Sequence, residues 1–200
     1  MPYQLADRAQ TQLNKYALRR KDEVKQRLST LKFDELNVMQ MIDALYESLD
    51  SENRKKWREL WAAKYGEDED EIDELLDMHL AGLLDEPNET THYTYATEVL
   101  RKRDRAKEAM LSVPTKAQKQ LELDKQIRFW LQMTSWYTDF VYQDAEITAL
   151  KDAGVKRVKR HELMDGKTCA VCKKADGEVY DIDKVPQLPH LRCRRWFTKA

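Results

Sequence analysis

This sequence predicts a mainly α fold. It reads as an extended helical body with one very long helix, plus a small C-terminal β-hairpin module that binds zinc. Three observations carry that expectation. Charged residues make up 36% of the 200 residues and hydrophobic ones 42%, with only five glycines and five prolines. This is the composition of long, surface-exposed helices. Apolar residues recur at helical spacing through most of the chain. All three cysteines fall between Asp165 and Ala200, in short metal-ligand spacings.

The elements follow in chain order. Residues 4–30 read as a helix, with Leu13, Tyr16, Ala17, Val24 and Leu28 on one face and Arg or Lys on the other. Asp34 is placed to cap a second helix through Leu36, Met39, Ile42, Leu45, Tyr46 and Leu49. Asp50-Ser51 reads as a reset, with Ser51 capping a third helix that carries Trp57, Leu60, Trp61 and Tyr65. Trp57 and Trp61, four positions apart, share a face and read as core anchors. Gly66 ends that helix as a C-terminal cap.

Glu67 to Asp73 supplies acid to the start of a fourth helix, where the helix dipole favours it. Its apolar side includes His79, read as a packing residue. The acidic run lacks the spacing of a calcium loop. Glu86 to Thr91 is a loop by composition and the best internal boundary. A helix resumes near Thr94 and reaches about Met110, before a break at Ser112 to Thr115. Residues 115–153 then hold one helical face without proline or glycine, as one helix or two joined near Thr134-Ser135. The aromatics Phe129, Trp130, Trp136, Tyr137, Phe140 and Tyr142 cover more than one face of it, which calls for burial. Gly154 stops it, and Val155 to His161 reads as a short basic strand. The expected division is 1–86 as an N-terminal helical region, 92–154 as a long-helix region and 155–200 as the zinc-binding module.

The module rests on Cys169, Cys172, His190 and Cys193, in C-x2-C and H-x2-C pairs separated by 17 residues. Two ligands three positions apart reach one ion from a tight turn, and a second pair closes a tetrahedron. A Cys3His set leaves no open position, so the Zn²⁺ it implies is structural rather than catalytic. Asp176-Gly177 is a strong turn dipeptide, with Val179, Tyr180 and Ile182 strand-like after it. An odd number of cysteines does not make a complete disulfide set, which also favours metal.

Net charge is −1, so the chain as a whole does not read as a nucleic-acid binder. Charge is nevertheless blocked: residues 1–32, 101–107 and 156 onward are basic, and 67–89 are acidic without Lys or Arg. Blocks of this kind read as partner surfaces or solvated helix faces. No apolar run approaches the roughly 20 residues of a membrane span. A soluble protein of a reducing cytoplasm, with no membrane partner, is expected. No nucleophile elbow, phosphate-binding glycine loop or H-E-x-x-H motif is present, so neither an enzyme nor a small-molecule substrate is expected.

From Phe140 to Arg194 the chain resembles the tailed-phage head morphogenesis family, the phage Mu F-like minor head proteins. The resemblance is carried by Ala153-Gly154, then Asp165, Thr168, Cys169, Cys172, Asp176, Gly177, Pro189, His190, Cys193 and Arg194. It covers about a quarter of the chain. The family pattern often closes with a further cysteine where this chain has Arg195; His190 and Cys193 still complete a set of four. The resemblance implies a minor structural protein of the virion, present in the host cytoplasm during assembly. It implies binding to the portal protein, the major capsid protein or both, and help with head assembly, DNA packaging or ejection. Non-specific contact with packaged DNA is compatible with the basic blocks. The alternatives are an HNH-like DNA-processing nuclease, for which His161 is the only nearby candidate base, and a host zinc-binding adaptor.

Overall fold

The computed structural model describes residues 3–30, 35–87, 92–186 and 194–200. Among these it is mainly helical: α1 (Gln4–Thr30), α2 (Glu35–Tyr65), α3 (Asp73–Asp85), α4 (Tyr95–Leu111), α5 (Lys116–Asp152) and the short α6 (Ala170–Ala175). Three strands, β1 (Arg157–Glu162), β2 (Val179–Asp181) and β3 (Arg195–Lys199), form one antiparallel sheet in the order β2-β1-β3. No helix among the described residues is long and apolar enough to cross a membrane.

Two helical expectations resolve in favour of continuity. The reset at Asp50-Ser51 does not occur, and α2 runs through both residues. Neither residue bars helical backbone, and the Asp50 carboxylate accepts from Arg54 Nε one turn on at 3.1 Å. Residues 116–152 are likewise one helix, unbroken at Thr134-Ser135. The predicted stops hold. Gly66 takes φ +104° and Gly154 φ +73°, a region that a side chain disfavours. Thr94 caps α4 by accepting from the Thr97 N–H at 3.1 Å. The Asp34 cap and the Asn88–Thr91 part of the predicted loop lie outside the described residues.

The chain groups into two compact units, each drawn from separated segments. One comprises residues 11–56 and 80–134. Its interior is built by Leu28, Ile42, Leu45, Tyr46, Met110 and Trp130, all nearly inaccessible to solvent. Tyr46 and Trp130 meet edge to face at 5.3 Å, the arrangement that ring quadrupoles favour. The buried Asn53 amide is satisfied by Tyr95 Oη at 3.2 Å and Thr134 Oγ1 at 3.1 Å. Buried Lys119 donates to the Met110 and Val113 carbonyls at the end of α4, where a cation complements the helix C-terminus.

The other unit comprises residues 1–10, 57–79 and 135–200. Trp57 and Trp61 are its fully buried anchors. Trp57 Nε1 donates to Thr138 Oγ1 at 3.0 Å and Trp61 Nε1 to the Asp144 carboxylate at 2.8 Å. His79 packs against the Trp61 ring, with Nδ1 2.9 Å from the same carboxylate, so it is a packing residue as expected. The sheet buries Val158 and Phe197 with Val155 and Ile182, and Ile147 and Leu150 of α5 pack against them.

The C-terminal hairpin is a correction. The segment holding the first cysteine pair is helix α6, and the Asp176-Gly177 turn ends that helix instead of joining two strands. β2 pairs with β1, with Val158 opposite Tyr180. Ile182 begins a 3-10 turn and does not extend the strand. The reason is local: Cys169 caps a helix, and the basic strand 157–162 already offers an edge to the residues after the turn.

Candidate metal centre

Cys169 is the N-cap of α6, in extended backbone, and its Sγ accepts from the Cys172 N–H at 3.4 Å. The two residues of the C-x2-C pair are thereby in contact across one turn. Cys172 is 2% exposed, and Phe140 and Cys169 pack against it. His190 and Cys193 lie outside the described residues. Among the described residues no group of three or more metal-binding side chains occurs, and only two of the four expected ligands belong to that set. The described half of the site fits a thiolate-binding ion in residue type and local turn.

The other described residues of the motif make specific contacts in the fold. The Asp165 carboxylate receives both terminal nitrogens of Arg194, each at 2.6 Å. This is the bidentate fork that gives an Arg–carboxylate pair its directionality. Asp165 also accepts from the Lys167 N–H at 2.8 Å. These donors, Arg194 first, hold its carboxyl well below the usual carboxylate range. Thr168 Oγ1 accepts from the Asp165 N–H at 3.1 Å and donates to the Leu163 carbonyl. The Leu163 N–H in turn donates to the Arg194 carbonyl at 3.1 Å. The residue before Cys169 and the residue after Cys193 are thereby tied through one aspartate.

On the far side of α6, Asp176 Oδ1 accepts from the Glu162 N–H at 2.8 Å. Gly177, at φ +83°, donates its N–H to the Arg160 carbonyl at 2.8 Å. Arg160 and Glu162, both on the buried face of β1, form an ion pair with Nε–Oε1 2.7 Å and Nη2–Oε1 2.5 Å. Arg160 Nη2 also lies 3.8 Å from Cys172 Sγ. The helix carrying the cysteines is therefore docked on β1 by charge and hydrogen bonds as much as by apolar contact.

Sequence reasoning missed two anchors. Arg195, noted only as standing where a cysteine is common, is 2% exposed. Its Nη2 donates to Gln143 Oε1 at 2.5 Å and to the Pro186 carbonyl at 2.6 Å. It occupies an inward position of β3 and ties that strand to α5 and to Pro186. The second anchor is Glu146, which takes Lys64 Nζ at 2.7 Å and the Phe197 N–H at 3.0 Å. Burial pushes its carboxyl up, with Lys64 opposing. Burial also works against charge on Lys64, but the Glu146 carboxylate outweighs it and raises that amine. A charged residue inside a helix period gives no sign of which strand it will meet. His161 stacks on Trp196 at 5.5 Å, with Nε2 2.8 Å from Thr198 Oγ1.

Comparison with protein-family models, with curated proteins and with solved structures finds no match for this chain. What stands defined is a mainly helical protein ending in a small three-stranded antiparallel sheet, with a cysteine-capped helix docked on its central strand.

Proposed function

We propose that this chain is a minor head protein of a tailed phage, a non-enzymatic interaction protein whose C-terminal module is stapled by structural zinc. The observation that carries the reading is the ordered string Asp165, Thr168, Cys169, Cys172, Asp176-Gly177, Pro189-His190, Cys193-Arg194. The non-ligand members of that string among the described residues, Asp165, Thr168, Asp176, Gly177 and Arg194, tie the module together. Asp165 grips Arg194 and Thr168, and Asp176 and Gly177 fasten the end of α6 to β1. Residues used jointly in this way are a coherent motif, whereas two cysteines and a nearby histidine alone recur by convergence.

In this reading Cys169, Cys172, His190 and Cys193 hold the ion, which supplies a crosslink and no reaction centre. The protein's own work is to present helical and charged surfaces to the portal protein or inner capsid during head assembly, packaging or ejection. Co-expression with the portal and major capsid proteins of the same phage tests it. The chain should co-sediment with proheads or co-purify with the portal ring. A chain that stays in the unassembled fraction, with portal and capsid both present and assembled, would overturn the reading.

A further inference from the structure

Helix α4 carries two sets of basic residues with different surroundings. Arg103 and Lys107 reach Asp43, at 3.4 and 2.5 Å, and Arg103 also reaches Asp104. Arg101, Lys102 and Arg105 have no ion-pair partner among the described residues. Instead they line a concavity of about 350 Å³ together with Glu98, Tyr93, Gln126 and Phe129. All of these residues belong to one compact unit. Among the described residues Glu98 is the single carboxylate in that lining, against three cations. Burial, followed by the neighbouring Arg105 and Arg101, lowers the Lys102 amine, and Glu98 offsets only part of this. Uncompensated positive charge in a recess raises the local concentration of anions.

The ring content narrows the anion. The Arg101 guanidinium lies 3.9 Å from the centroid of the Tyr93 ring, so that ring already carries a planar cation. The Phe129 ring is 37% exposed and lines the same recess with the buried Gln126. An exposed aromatic beside clustered cations is the combination that takes a base on its π face and a phosphate on its charges. The volume is near the lower end for ligand pockets, roughly 300 Å³. That has room for one nucleotide unit and excludes a stacked duplex.

We infer that this recess binds one nucleotide unit of a single-stranded nucleic acid, with the phosphate among Arg101, Lys102 and Arg105 and the base against Phe129. Binding here is independent of the metal module and of the virion reading. The test is fluorescence anisotropy of the full chain with a labelled oligothymidylate of about a dozen nucleotides. Variants are Arg101→Gln/Arg105→Gln, Phe129→Ala, Phe129→Tyr, and Arg103→Gln as the ion-paired control on the same helix, each checked for native helicity by circular dichroism.

The double arginine variant should bind roughly tenfold or more weakly, and its log–log salt slope should be shallower by about 0.7 for each phosphate that it no longer neutralises. Phe129→Ala should also lose roughly tenfold, Phe129→Tyr should bind like the parent, and Arg103→Gln should change little. Affinity unaltered by the arginine pair overturns the site. Loss on arginine substitution with Phe129→Ala unaffected overturns the base contact and leaves a plain anion site. Equal binding of a matched duplex, or equal displacement by polyglutamate, overturns the single-strand assignment. No measurable binding by the parent chain at low salt overturns the inference as a whole.

Discussion

The unit built from residues 11–56 and 80–134 and the C-terminal segment 155–200 stay folded by different means. In the former, large apolar side chains such as Ile42, Leu45, Leu49, Leu123, Ile127 and Trp130 leave almost no exposed surface. Burial of that kind contributes about 25 cal/mol per Å² and needs no ligand. In the latter, among the described residues, the buried apolar cluster is Val155, Val158, Ile182 and Phe197. Around it stand buried charges: Arg160, Glu162 and Arg195 within the segment, and Glu146 of α5 against it. Ion pairs taken out of water contribute little net stability, because desolvation offsets their attraction. They do select one arrangement, since a mispaired charge in the same place is costly. A small segment so organised is the part of the molecule that would gain most from the metal crosslink proposed above.

Removing the proposed crosslink should give the largest separation between the two regions. Serine is close to cysteine in size, so Cys172→Ser keeps the packing against Phe140 and removes one of the proposed ligands. If the proposal holds, elemental analysis should find zinc in the parent and none in the variant, and the chain beyond Gly154 should become protease-sensitive. Far-UV circular dichroism should keep the helical signal. Unchanged metal content and protease resistance would sink the zinc assignment, and loss of helicity throughout would erase the contrast between the regions.

A smaller effect is expected at the buried pair on β1. Arg160→Ala or Glu162→Ala alone leaves one charge buried without its counter-ion and should destabilise the segment by about 3 kcal/mol. Replacing both by apolar residues of similar volume should cost far less, because no orphaned charge remains. Denaturation monitored by hydrogen exchange of the β1 amides measures the difference. If the double replacement costs as much as the sum of the single ones, the pair is a source of stability and the contrast between the regions fails.

The smallest effect should appear at the exposed Asp165–Arg194 fork, and it carries a sign. Asp165 has a native carboxyl held below its ordinary value by Arg194 and the Lys167 N–H. The native state therefore binds that proton less readily than the unfolded chain does. Its contribution is complete above the unfolded value, about 4, and is lost progressively as pH falls below that toward the lowered native value. The stability difference between parent and Asp165→Asn should be present at pH 7 and should shrink on acidification below about pH 4. A difference that is flat or grows on acidification would remove the ion pair from the account.

Helical periodicity made most of the first 153 residues legible, because a stripe such as Ile42, Leu45, Tyr46 and Leu49 has only one way to be buried. The same periodicity could not place the end of a helix at Asp50-Ser51. Capping residues are permissive signals, and α2 continued because nothing in its path forbade it. The turn at Asp176-Gly177 was legible as a positive-φ turn, but not what it joins. Strand pairing is a choice among edges, and β1 lay before the cysteines.

By itself the sequence determined the helical class, the stops at Gly66 and Gly154, the burial of Trp57 and Trp61, and the ordered motif that begins at Asp165. These depend on residues close together in the chain. Only the tertiary structure decided that Asp165 meets Arg194, that Glu146 and Arg195 are interior anchors, and that α6 docks on β1. Each of those contacts joins side chains far apart in sequence, and a lone charge carries no local signal of its eventual partner.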